Sequence, residues 1–142
     1  MGWMAPFIIR GKILLQAVWT AGLDWDDPLP ENLEVKLREF LDELKMAPSF
    51  TLPRWIGTLS SSSLEIHGFS DASQETLGAV IYLCLVTEDF HGFTSLLMAK
   101  TKVAPQNQVT IARLELSAAV LLVVLVDRVR NCSSCGTVPL HL

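Results

Sequence analysis

The heptapeptide His67-Gly68-Phe69-Ser70-Asp71-Ala72-Ser73 decides how this chain is read. Residues 64–70 alternate well enough for a strand, and the acid Asp71 follows it directly. Beyond the heptapeptide, residues 77–87 form a run rich in Val, Ile and Leu around Tyr82, typical of a buried strand. Thr87-Glu88-Asp89-Phe90-His91-Gly92 reads as its turn, and residues 93–103 as the returning strand, stopped by Pro105. Three consecutive strands on short turns predict an antiparallel meander. Over 110–130 the pattern becomes helical, with Glu115, Ala119, Leu122, Val126 and Val129 along one face.

Upstream the composition changes. All four tryptophans, Trp3, Trp19, Trp25 and Trp55, precede Ser60, as do five of the seven prolines, and the serine run 60–63 follows, so a boundary is expected within residues 57–63. Leu33, Leu37, Phe40, Leu41 and Leu44 recur at helical steps among charged residues, between Pro30 and Pro48, which predicts an amphipathic helix. A second, more uniformly apolar helix is expected over about 6–21. The tryptophans fit a packed helical core better than a platform for stacked bases. Two segments follow: a helical connection over 1–59 and an α+β domain over 60–142.

The 142 residues, half of them hydrophobic and 18% charged, allow one domain or part of one with a helical attachment and exclude a large multidomain enzyme. Mean hydropathy of +0.38 raises the question of a membrane. The longest stretches without a charge, 76–87 and 131–142, are too short for a spanning helix of roughly 20 residues. Gln16 interrupts the apolar run after Arg10 and Lys12, and Asp24, Asp26 and Asp27 follow, which argues against a secretory signal; Pro6 stands where a myristoylation signal needs Ser or Thr. Cys84, Cys132 and Cys135 outline no disulfide framework, and an intracellular setting is expected.

Asp71, at the end of a central strand, and Glu115, in the opening turns of a helix packed over the sheet, can converge as a site for a hard divalent cation such as Mg²⁺. Turn chemistry explains the first equally well and the helix macrodipole the second, although with Thr110 as N-cap Glu115 falls beyond the capping-box position.

Six motifs in fixed order bear on that choice: Trp25-Asp26-Asp27 with Leu29-Pro30; Leu52-Pro53-Arg54; the heptapeptide at 67–73; Gly78-Ala79-Val80-Ile81-Tyr82; Ala99-Lys100-Thr101-Lys102-Val103-Ala104-Pro105; and Arg113-Leu114-Glu115-Leu116. Together, over about residues 2–130, they resemble the polyprotein of Pao-type (BEL/Pao) retrotransposons. The resemblance implies the end of a reverse transcriptase joined to a truncated ribonuclease H-like fold of three antiparallel strands and one long helix. It matches Asp71 and Glu115 to the first two metal-binding carboxylates of that fold and implies two-metal hydrolysis of RNA in an RNA–DNA hybrid. On that reading Asp71 is a ligand shared by two Mg²⁺ ions, and Glu115 holds one ion and positions the substrate ribose. The family pattern asks for two further carboxylates, and residues 132–142 contain no Asp or Glu. Weak or absent Mg²⁺ binding and an inactive fragment follow, with a co-opted interaction module or an unstable fragment as the alternative. Ala112 stands where the family usually has proline.

The ribonuclease H strand order, three-two-one-four-five, leaves strand one as an edge, which invites self-association unless residues 137–142 patch it. Lys100, Lys102 and Arg113 are candidate phosphate contacts, with a solvated strand edge as the equal alternative. Cys132-Ser133-Ser134-Cys135 has metal spacing, but with only His141 nearby it lacks the four ligands of structural zinc. Families of this type are catalogued as Pao retrotransposon peptidases, yet Asp71-Ala72-Ser73 is not the Asp-Thr-Gly or Asp-Ser-Gly of an aspartic peptidase.

Overall fold

The structure is a computed structural model that describes residues 2–46, 63–86, 93–107, 109–132 and 139–142. The chain divides into two compact units, one of residues 6–52 and one of residues 1–5 with 53–142. The expected boundary falls, except for Ser63, outside the described residues, as do the turn at 87–92 and the Cys132 and Cys135 side chains.

In the smaller unit, helix α1 (Ala5–Thr20) and helix α2 (Glu31–Met46) match the two expected helices. Gly22, at φ 68°, ends α1 by donating its N–H to the Trp19 carbonyl at 3.0 Å, in the left-handed conformation that favours glycine. The Pro30 carbonyl accepts from the Leu33 and Glu34 N–H groups to open α2. Arg10 pairs with Glu43, and a Cβ at Gly11 would lie 3.0 Å from the Phe40 ring, so Gly11 lets α2 approach closely. Among the described residues of this unit only Leu33 is buried. The tryptophan expectation needs correcting: Trp19 and, in the larger unit, Trp3 are exposed, and Trp25 is 96% exposed, while Trp55 lies outside the described residues. Two helices enclose too little volume to cover indole rings; instead Trp19 and Trp25 line an open apolar cavity of about 420 Å³ with Leu14, Leu29 and Leu33.

The larger unit is α+β. Strands β1 (Ser63–Ala72), β2 (Thr76–Val86) and β3 (Phe93–Val103) form the expected antiparallel meander, covered by α3 (Ile111–Cys132). Leu97 is the extra residue of a bulge on β3, between Leu96 opposite Tyr82 and Met98 opposite Ile81. Among the described residues the sheet has a fourth strand beside the expected three: β4 (Leu140–His141) pairs in parallel with Ile66 and His67, giving the order β3-β2-β1-β4. Pro139 lacks a donor but serves as an acceptor, its carbonyl taking the Ile66 N–H at 2.9 Å. This is the order and sense of the first four strands in the ribonuclease H-like fold that the sequence resemblance implies.

Leu77, Ala79, Ile81, Leu83 and Leu85 are buried while the residues between them are half-buried, so β2 turns its odd-numbered side chains to α3. Of these, Leu77, Ala79, Ile81 and Leu83 form one core with Leu114, Ala118, Leu121, Leu122, Leu125, Val126 and Val129. The buried face of α3 is thus rotated from the expected one, and Ala119 is exposed. The cause is that the middle of α3 is apolar on both sides: Leu116, Val120, Val123 and Val124 face solvent, so periodicity alone could not choose the inner stripe. Among the described residues no helix is long and apolar enough to cross a membrane.

Candidate functional site

β1 leads into a two-residue turn whose hydrogen bonds come from Ser73. Its N–H donates to the Thr76 carbonyl at 2.7 Å, and its hydroxyl accepts from the Thr76 and Glu75 N–H groups at 3.1 and 3.3 Å. The turn is therefore closed by Ser73 and not by Asp71, whose Oδ1 accepts only the adjacent Ala72 N–H at 2.8 Å in a contact local to the strand. Turn chemistry does not account for the acid at position 71.

Asp71 is exposed, in the last rungs of the ladder opposite Gly78. Ala72, opposite Leu77, packs against the core, so strand alternation puts Asp71 in the file of Glu65, His67 and Phe69, on the face away from α3. Phe69 confirms the file through its edge contact with Tyr82, at 6.2 Å between ring centroids. Glu115 is exposed in the second turn of α3. At about 100° per residue it lies between Leu122 and Val126 around the axis, on the flank of the buried stripe.

The two carboxylates belong to the same end of the sheet. The Ala104 N–H donates to the Glu75 carbonyl at 2.8 Å, binding the exit of β3 to the β1–β2 turn, and α3 starts after the short link 104–110. Leu114 and Gln74 then line one cleft of about 470 Å³ with Pro105, Asn107 and Thr110. The acids approach this end from opposite faces, Asp71 on the side away from α3 and Glu115 on α3 itself, so they do not converge over a single face of the sheet. α3 begins at Ile111 with Ala112 in its first turn, its N-terminus held by the Thr110 carbonyl.

Lys100 and Lys102 are exposed on the edge strand, opposite Ala79 and Leu77 and hence on the α3 face. Arg113 is displaced roughly 200° around α3 from Glu115 and leaves the helix on its solvent side. The three basic residues therefore do not share a face.

The structure gathers one group that sequence reasoning missed: Glu65, His67 and His141, whose ligand atoms lie within 4.8 Å of one another. The spacing Glu65-x-His67 on a strand was a signal, since both side chains must share a face; the third member arrives through the β4 pairing, which no local pattern announces.

A family model described as the Pao retrotransposon-like RNaseH-like domain matches residues 1–138. Neither the curated proteins nor the solved structures provide a match.

Proposed function

The chain belongs to the Pao retrotransposon-like RNaseH-like domain family, and from that premise we propose that it is part of a retrotransposon polyprotein whose complete ribonuclease H unit hydrolyses the RNA strand of an RNA–DNA hybrid. The observation carrying this reading is the coincidence of Asp71 and Glu115, the two acids the family pattern assigns to metal binding, at one end of a sheet ordered β3-β2-β1-β4. When bound, Mg²⁺ ions supply a nucleophilic water and stabilise the leaving oxygen.

The donor set of this chain does not fit a pair of such ions. A hard cation takes six oxygens or more, and two exposed carboxylates from opposite faces leave most positions to water. We therefore assign this chain the framework of the reaction without the reaction: Asp71 and Glu115 weakly attract one hydrated cation, and the cleft beside Leu114 offers space at the same end. The test is release of labelled RNA from an RNA–DNA hybrid in millimolar Mg²⁺. No release above the buffer blank is expected, and release abolished by Asp71→Asn would overturn the assignment.

A second reading rests on β4, which covers only Ile66 and His67. Among the described residues no strand pairs with that side of β1 from Gly68 to Ala72, and an open ladder is a template for another chain. Self-association through this edge predicts a dimer in size-exclusion chromatography at micromolar concentration, and a monomer there excludes it.

A further inference from the structure

We propose that Glu65, His67 and His141 form a site for a borderline divalent transition ion such as Zn²⁺, and that the bound ion clamps the C-terminal strand β4 onto β1. The site follows from the register. Glu65 and His67 stand two apart on β1 and share a face, and the parallel pairing sets His141 directly beside His67. Their rings stack with centroids 4.7 Å apart and planes 21° from parallel. Nε2 of His67 is 2.9 Å from Glu65 Oε2, and Nε2 of His141 is 3.8 Å from the same oxygen.

These distances suit a tetrahedral ion. Zinc bonds of about 2.0–2.1 Å to nitrogen and oxygen put ligand atoms about 3.3 Å apart, a value the two observed distances bracket. The three ligand atoms all lie within 4.8 Å of one another, and the stacked imidazoles must rotate for their nitrogens to converge on a common centre. Two imidazoles and one carboxylate favour zinc or cobalt over magnesium, which takes oxygen donors. The side chains are 30%, 34% and 54% exposed for His67, Glu65 and His141, so an ion can enter from solvent and keep water in the fourth position.

This site is separate from the acid pair. His67 and Asp71 share a face but stand about 13 Å apart along β1 at 3.3 Å per residue. Cys84, directly across the ladder from Glu65, has its sulfur 3.6 Å from the Thr94 hydroxyl and is not part of the group. What the ion would do follows from the pairing: Leu140 and His141 stand beside Ile66 and His67, and a metal bridge between the two strands adds a further tie to that ladder.

The experiment uses the full chain carrying Cys132→Ser and Cys135→Ser, which removes that thiol pair as an alternative source of zinc affinity. Calorimetric titration with Zn²⁺ should give one ion per chain, unaffected by a large excess of Mg²⁺, and Co²⁺ should produce the intense visible absorption of a tetrahedral site. His141→Gln, far from the α3 core, and Glu65→Gln should each weaken Zn²⁺ binding by roughly 100-fold or more, since even outer-shell partners typically contribute 10–100-fold. With Zn²⁺ bound, exchange of the Ile66 amide should slow. Absence of Zn²⁺ binding in the chain carrying the two serine substitutions overturns the proposal, as does binding that His141→Gln leaves intact in a chain with an unchanged circular dichroism spectrum.

Discussion

The alternation of β2 fixes which face of the sheet meets α3, and through the ladder it also fixes the face of Asp71, so it merits a direct test with two adjacent substitutions. Ile81 is 0% exposed and central to the core, while its neighbour Val80 points the other way and is half-buried. Ile81→Ala removes three buried carbons, about 2.4 kcal/mol at roughly 0.8 kcal/mol per methylene. The cavity left behind raises the expected cost to about 3–5 kcal/mol. Val80→Ala removes two half-buried carbons and should cost about 1 kcal/mol. Both lose a β-branched side chain from the same strand, so that contribution of up to about 1 kcal/mol cancels in the comparison. The difference should be at least about 2 kcal/mol, roughly 8–16 °C in the unfolding midpoint of a unit this size. Urea unfolding followed by far-ultraviolet circular dichroism, with hydrogen exchange on β1 to β3, reads the sheet; tryptophan fluorescence mixes the two units, because Trp19 and Trp25 belong to the smaller and Trp3 to the larger. Equal costs within about 0.5 kcal/mol, or a larger cost at Val80, would show that the faces are exchanged and that Asp71 lies on the α3 side.

Asp71→Asn and Glu115→Gln, at exposed positions, should each change stability by less than about 0.5 kcal/mol while reducing Mn²⁺-induced relaxation of nearby amides in NMR; a large loss of stability would mean a structural role. Deleting residues 139–142 removes the acceptor of the Ile66 N–H, so exchange at Ile66 should quicken about fivefold for a hydrogen bond of about 1 kcal/mol, and chromatography should show more dimer. Gly68→Ala would bring a Cβ to 2.7 Å from Leu142 Cδ2 and 2.9 Å from Leu122 Cδ1, the mobile tips of two leucines. Thermal unfolding should register about 1 kcal/mol of destabilisation, and removal of Leu142 should recover part of it in a double-mutant cycle.

The elements legible in the sequence were those whose cause is local. The meander followed from alternation at residues 64–70, the apolar run at 77–87 and Pro105, and the structure puts β3 at Phe93–Val103 as expected. The amphipathic α2 was equally plain because charge marks its outer side. The inner face of α3 was not, since Leu116 and Val120 are as apolar as Leu114 and Ala118, and only the sheet chooses between them. Position along the elements sufficed to bring Asp71 and Glu115 to one end of the sheet. Their faces required the pairing of Asp71 with Gly78 and of Ala72 with Leu77, which is a property of the ladder and not of the heptapeptide. The Glu65, His67 and His141 group joins residues from the two ends of the sheet unit by a two-residue parallel pairing, the kind of non-local contact that periodicity does not encode.

The same pairing fixes which position lies beside Asp71. In a parallel ladder the register advances one residue for one, so with Ile66 opposite Leu140 and His67 opposite His141, a residue beside Asp71 must stand four positions beyond His141, because Asp71 is four positions beyond His67. At Leu140 and His141 the β4 pairing brings to β1 an imidazole beside an imidazole and a carboxylate. An acid at the required position would share the rim with Asp71 and raise the negative charge facing a cation. Appending a strand with aspartate there should strengthen Mn²⁺ binding at Asp71 and leave Zn²⁺ binding at His141 unchanged. Equal strengthening by a strand with asparagine would show that length, and not charge, limits the acid site.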